Sequence, residues 1–257
     1  MWTAAIFNLL YSAGNPGTRH AHLGLLGLFL VATAGHGQDE ESYASPAGPS
    51  VIVDPPGGKL PYLPAARKKA EDNWAHRERD PVGHCHMHGV PRVMVPPFPF
   101  MIVQDGDYVV MLFETEHSLR IIPADGRPHL KNYRSWDGDS RGRWEGDTLV
   151  VDVTGLNGQT WLDQAGNFVD ENEHVVERFT PAGPDTIIYE ATVDDPTVYS
   201  RAWTLRVPLR RQRKGAALIE YDCIEGERDE VHYPGSKQPG SKRPGSKQPG
   251  SKQPGSK

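Results

Sequence analysis

Residues 142–155 read Gly-Arg-Trp-Glu-Gly-Asp-Thr-Leu-Val-Val-Asp-Val-Thr-Gly. The Glu145-Gly146-Asp147 turn is followed by a β-branched run with period two. Leu149, Val151 and Val153 share one face, and Asp152 interrupts the other. That period belongs to a strand and not to a helix. The same pattern recurs on both sides. Upstream, Met-Ile-Val-Gln (101–104), Asp105-Gly106 and Asp-Tyr-Val-Val-Met-Leu-Phe-Glu (107–114) predict a hairpin with a type I′ turn. A further strand is expected in residues 117–123. Downstream, residues 174–180 and 185–193 are split by Pro181-Ala182-Gly183-Pro184, and residues 202–211 and 216–223 close the series. No crossover helix intervenes, so eight or nine strands should pair antiparallel. An up-and-down meander of that size closes most economically as a barrel, which removes its edges; a two-sheet sandwich is the competing architecture.

One helix precedes the strands. Pro64 opens Ala-Ala-Arg-Lys-Lys-Ala-Glu-Asp-Asn-Trp-Ala, with proline at a favoured first position and charges suited to a solvated face. Trp74 is expected to face the body. Residues 35–63 are polar and turn-rich and read as an extended arm. Residues 93–100 carry too many prolines for a central strand.

Both ends of the chain differ from this body. Residues 23–34 (Leu-Gly-Leu-Leu-Gly-Leu-Phe-Leu-Val-Ala-Thr-Ala) form an apolar run of signal-peptide length, with Ala32-Thr33-Ala34 as a small-x-small cleavage site. Residues 1–34 are therefore expected to be a signal peptide, with a membrane anchor or a buried core helix as the alternatives. From Pro234 to Lys257 the chain repeats Pro-Gly-Ser-Lys-Gln, with Arg243 once in place of Gln. Such a tract has nothing to bury and is expected to be disordered. It holds six of the 28 Lys and Arg residues and none of the 33 Asp and Glu residues, which leaves an acidic remainder of 22 cations against 33 acids. The body thus argues against nucleic acid as a partner, while the tail can contact anionic surfaces.

The only cysteines are Cys85 and Cys223. In an exported protein a lone pair usually bridges, and closing so long a loop contributes about 4 kcal/mol in the chain-entropy model. Two buried thiols are the alternative.

Two constellations carry candidate chemistry. If His84, His86 and His88 lie on one strand, their side chains share a face, and three imidazoles can hold zinc or copper with a position open for water or substrate. An exposed His-rich loop is the plainer reading. The second constellation spans residues 136–178. His174 and Arg178 fall on one strand face with Val176, and Glu177 falls on the other with Val175 and Phe179. If the first face lines a lumen, His174 is the acid or base, Asp163 or Asp152 orients it, and Arg178 holds a developing oxyanion. Trp136, Asn157, Trp161 and Glu177 are then candidate ligand contacts. The plainer alternative is that these Arg–Asp pairs staple turns. The chain has no phosphate loop, dinucleotide fingerprint or nucleophile elbow.

These residues carry a resemblance. Asp-Pro-Pro-Gly-Gly-Lys (54–59), Cys85 with Gly-Val-Pro-Arg (89–92), Ile-Ile-Pro-Ala-Asp-Gly-Arg-Pro-His (121–129), residues 138–152, Thr-Trp-Leu-Asp (160–163) and residues 174–179 resemble a large uncharacterised family of secreted soil-bacterial proteins. The resemblance spans about 54–225. It implies export, a mainly β body and two cysteines, and no named reaction. His86 and His88 depart from the prolines usual in that family. Gly142-Arg143-Trp144 is also similar to the Gly-x-Trp that opens lipocalin-like barrels, which hold small apolar ligands.

The sequence therefore predicts a secreted or periplasmic, disulfide-linked, mainly β protein. Residues 64–233 would form one antiparallel, lipocalin-like barrel domain that binds a small, partly apolar molecule, with acid–base isomerase, cyclase or hydrolase chemistry as an extension of binding. A structural or adhesion module is the alternative, and a metal-dependent enzyme at the histidines is third. No cofactor is expected unless that metal is real. Deleting residues 234–257 should leave the melting temperature within a few degrees and abolish salt-sensitive adhesion to anionic surfaces; a larger thermal loss would show that the repeat packs on the body.

Overall fold

The computed structural model describes residues 27–33, 50–219, 221 and 223. Ten strands build its single sheet: β1 (Gly27–Thr33), β2 (Ile52–Asp54), β3 (Pro99–Asp105), β4 (Tyr108–Phe113), β5 (Leu119–Pro123), β6 (Asp139–Glu145), β7 (Thr148–Thr154), β8 (His174–Pro181), β9 (Thr186–Asp194) and β10 (Trp203–Arg211). The one α-helix, α1 (Pro64–Ala75), has proline at its first turn as expected. The repeat tail and residues 1–26 and 34–49 lie outside the described residues, as does the expected cleavage position at Ala34.

Every ladder is antiparallel. The order is β5-β4-β3-β1-β10-β9-β8-β7-β6, with β2 also on β10. Two meanders, β3–β5 and β6–β10, are thus joined by β1, which comes from the leader-like apolar run. The single sequential meander that the turn signals suggested does not form, because no described ladder pairs β5 with β6, and β1 joins the two halves between β3 and β10 instead. Residues 216–219 are not strand. Half of the expected arm is stitched to the body: Ile52 pairs Leu205, and Tyr62 bridges Tyr199.

The turn chemistry also differs in detail. Gly106 and Gly146 each begin a two-residue loop, with φ of +51° and +62°, while Asp107 and Asp147 keep negative φ. Type I′ needs positive φ at both positions, so the expected assignment for the 105–108 turn fails.

Alternation sets the inside. Leu149, Val151 and Val153 of β7 pair with Phe179, Glu177 and Val175 of β8, and all six are buried. The five apolar ones pack with Phe100, Ile102, Met111, Ile122, Tyr189 and Leu205 in one core. Helix α1 covers part of it through Ala66 and Ala70. Trp74 is 54% exposed, under Arg77, so it does not face the body. The helix end instead fits tightly against Gly166, where a Cβ would stand 2.6 Å from Asn73 Cβ.

β5 and β6 end the hydrogen-bonded path and lie side by side. No described ladder joins them. Gly142 permits the approach, since a Cβ there would stand 3.1 Å from Ile122 Cγ2 and 3.3 Å from Ala124 Cβ. The seam is held by side chains. Arg120 of β5 donates to Ser140 of β6 at 3.1 Å and to both carboxylate oxygens of Glu177 on β8. Tyr189 of β9 donates to Glu177 at 2.8 Å. Arg120 and Glu177 have side chains 1% and 0% exposed.

Cys85 and Cys223 form the expected disulfide, with Cα atoms 5.4 Å apart.

Arg178 lies on the outer face, half exposed, and pairs with Glu145 at 2.9 Å. The faces of β8 divide as the alternation predicts, but the one bearing His174 and Arg178 is outside, and Glu177 is inside. Pattern alone cannot choose between two polar faces; Arg120, which neutralises Glu177, makes the choice. Glu177→Ala and Arg120→Ala should each lower unfolding free energy by about 3–5 kcal/mol, since each strands a buried charge. Arg178→Ala should cost no more than about 1 kcal/mol. Urea denaturation checks both; equal small losses would remove the buried pair from its structural role.

Candidate functional site

The outer faces of β6, β7 and β8 carry a chain of ionisable groups. Asp152 sits opposite Val176 in the β7–β8 register, so it shares a face with His174 two residues along β8. His174 Nε2 is 3.0 Å from Asp152 Oδ2. The other oxygen of Asp152 lies 2.7 Å from His129 Nε2. His129 Nδ1 lies 2.9 Å from Asp139 Oδ2, which also accepts from the Leu130 backbone N–H at 2.9 Å. Arg141 reaches Asp139 at 2.6 Å. The sequence His174, Asp152, His129, Asp139, Arg141 therefore alternates donor-capable and acceptor groups without a gap. Burial raises the Asp152 pKa, and the hydrogen bonds from His174 and His129 outweigh it, so its carboxyl lies below its ordinary value of 3.8.

His174 borders a cleft of about 560 Å³ whose walls include Tyr133, Arg134, Thr154, Glu171 and Glu173. Its side chain is 44% exposed, and among the described residues Nδ1 makes no hydrogen bond. With Nε2–H donating to Asp152, Nδ1 is the basic atom of the ring. Arg134 places a cation in the same wall, tied to the Leu156 and Glu171 carbonyls. Glu173 is buried, and among the described residues neither of its carboxylate oxygens has a hydrogen-bond partner. Burial, with the charge of nearby Asp195, pushes its carboxyl well above the usual range.

The other expected residues go elsewhere. Asp163 serves its own loop, accepting from the Ala165 and Asn167 backbone N–H groups and from the Asn167 side chain. Asn157 closes a turn onto Gln159. Trp161 packs against the core, and its carbonyl accepts from Arg92. Trp136 stacks on His86 with ring centres 4.8 Å apart. Glu177 is sealed in the interior.

The three histidines of the first constellation are not on a strand. Pro81–His84 forms a short 3-10 turn, and Cys85 at φ +60° reverses the chain. His84 bonds to the Glu78 carbonyl, His86 stacks on Trp136, and His88 is buried against Glu116 at 2.5 Å. The imidazoles thus point to three separate partners. Among the described residues no group of three or more His, Cys, Asp or Glu is placed to hold a metal ion. The segment is anchored by the disulfide and by a buried bidentate pair, Arg92 with Asp80 at 2.8 and 2.7 Å.

His129, Asp139, Arg134 and Glu173 were not singled out as site residues. Neither His129 nor Asp139 has a local pattern that marks chemistry, and only the fold brings them to Asp152. No family model, curated protein or solved structure matches the chain.

Two substitutions should change pH dependence with opposite signs. A depressed carboxyl stabilises the fold above its unfolded pKa, and that contribution is lost as pH falls through its folded pKa. Asp152→Asn should therefore lower the melting temperature at pH 7 and lose this deficit below about pH 3. A raised carboxyl acts in reverse, favouring the fold below its unfolded pKa and losing that advantage as pH rises. Glu173→Gln should gain stability at pH 7 relative to the parent, with no gain near pH 4. Melting curves across pH 3–8 give both, and a pH-independent difference in either variant contradicts the assignment.

Proposed function

We propose that the protein acts outside the cytoplasm and binds a small, partly apolar organic molecule in the cleft beside His174, where that imidazole transfers a proton. The observation that carries this reading is the His174–Asp152 pair, at 3.0 Å, on the border of the cleft. Asp152 fixes the orientation of the ring, while Nδ1 is left to take or give a proton at a bound substrate. Arg134 is placed for the anion-holding role first assigned to Arg178. Isomerisation, cyclisation and hydrolysis all need this minimum of parts.

Export is supported by the disulfide, by the leader-like run and by the lack, among the described residues, of a helix long and apolar enough to cross a membrane. We read the open sheet as an incompletely closed, lipocalin-like barrel. The side-by-side approach of β5 and β6 across Gly142 and the Arg120 bonds to β6 and β8 support that reading. Its ligand site is then on the wall, where the cleft beside His174 lies. The repeat tail is read as a cationic spacer toward anionic surfaces.

The turns closed by Asp163 and Asn157 favour a second reading, a non-catalytic structural or adhesion module in which polar pairs staple turns. One comparison separates the two. Native mass spectrometry of protein from its own host should show a bound small molecule. His174→Ala should lose that mass and any turnover while its melting temperature stays within a few degrees, because the side chain is half exposed. A His174→Ala protein that keeps the molecule, or a parent that never carries one, leaves the structural reading.

A further inference from the structure

The segment that joins the two meanders is also the segment that looks removable. β1 pairs with β3 from Gly27↔Gln104 to Ala32↔Pro99 and with β10 from Val31↔Arg211 to Thr33↔Leu209. No ladder among the described residues joins β3 directly to β10. Phe29 and Val31 stand in register with Ile102 and Phe100, which are buried. The run Gly27–Thr33 carries no charge.

If export proceeds as the leader predicts, water hydrolyses the Ala34–Gly35 peptide bond, leaving a carboxylate on Ala34 and an amine on Gly35. β1 is then no longer part of the chain. Its departure bares the backbone N–H and C=O groups of β3 and the C-terminal half of β10 that face it. A bare edge in mid-sheet is a template for another strand.

We propose that the slot between β3 and β10 is a strand-acceptor site. Residues 27–33 fill it before processing, and an uncharged, apolar, extended peptide segment of a partner fills it afterwards. Main-chain bonds along residues 99–104 and 209–211 supply affinity, and alternate apolar positions facing the core supply specificity. Six paired residues on the β3 side set the length of the ligand at six to seven residues. The trigger rests on the export reading. The slot does not, and neither depends on the His174 cleft.

The test starts from the full chain, folded, with a specific protease site inserted between Gly37 and Gln38. After cutting, a fluorescent peptide of residues 27–33 flanked by lysines is added. The cut protein should bind it at least about tenfold more tightly than the same peptide with F29D and V31D, and the uncut protein should not bind it. Hydrogen exchange at Phe100, Ile102, Gln104 and Arg210, whose N–H groups face β1, should rise when β1 is displaced by dilution and fall again with the added peptide. No binding after cutting, equal binding of both peptides, or equal binding to cut and uncut protein overturns the acceptor site. Mass spectrometry of exported protein tests the trigger separately: a chain beginning at Gly35 supports it, and a chain retaining residues 27–33 overturns it.

Discussion

The sheet depends on a charge it has buried. β5 and β6 meet without a backbone ladder, so the join between first and last strands of the path falls to side chains. Arg120 supplies it by reaching Ser140 on β6 and Glu177 on β8, and Tyr189 completes the carboxylate's partners. Two ions out of water are costly, and their attraction offsets that cost only when geometry and extra hydrogen bonds are good. Here Glu177 accepts from two residues and Arg120 donates to two. The consequence reaches beyond the seam. With Glu177 held inside, Val175 and Phe179 are inside too, and the alternate residues of β8 must face out.

That inversion makes the candidate site. His174 and Arg178 leave the interior, and Asp152 of β7 leaves with them. Arg178 then meets Glu145 in solvent, an ordinary surface pair. His174 meets Asp152, and the loop after β5 lays His129 across the same carboxylate. Two imidazoles share one acid at the surface, beside a cleft, in place of a polar floor inside a cup. His174 and Asp152 do meet, at 3.0 Å, on the outer face of the strands. Asp163 drops out because its own turn saturates it.

The same sheet has a second seam, between β3 and β10, and it is closed differently. There a strand from the N-terminal apolar run supplies backbone pairing on both sides. One seam is held by a buried ion pair within the body, the other by a strand from the N-terminal apolar run. The two have different vulnerabilities. The first depends on a charge pair, and the second on the backbone pairing that β1 supplies.

Local chemistry determined a good deal. Period two with turn glycines made the protein antiparallel β, Pro64 placed the helix start, and the lone cysteine pair made the bridge between Cys85 and Cys223. Alternation also separated the faces of β7 and β8 correctly, because it is a property of the strand itself. Which face is buried is not such a property when both carry charge. It was decided by Arg120, 57 residues from Glu177 in the chain. His84, His86 and His88 share a face only if the backbone is extended, and the 3-10 turn ending at Cys85 took that condition away. His129 reached Asp152 by a loop whose path no spacing rule encodes. Periodicity, caps and cysteine count act over a few residues or follow from composition, so the sequence alone determined them. Strand order, the inner face and the partners of each imidazole depend on contacts between distant segments, so only the tertiary structure decided them.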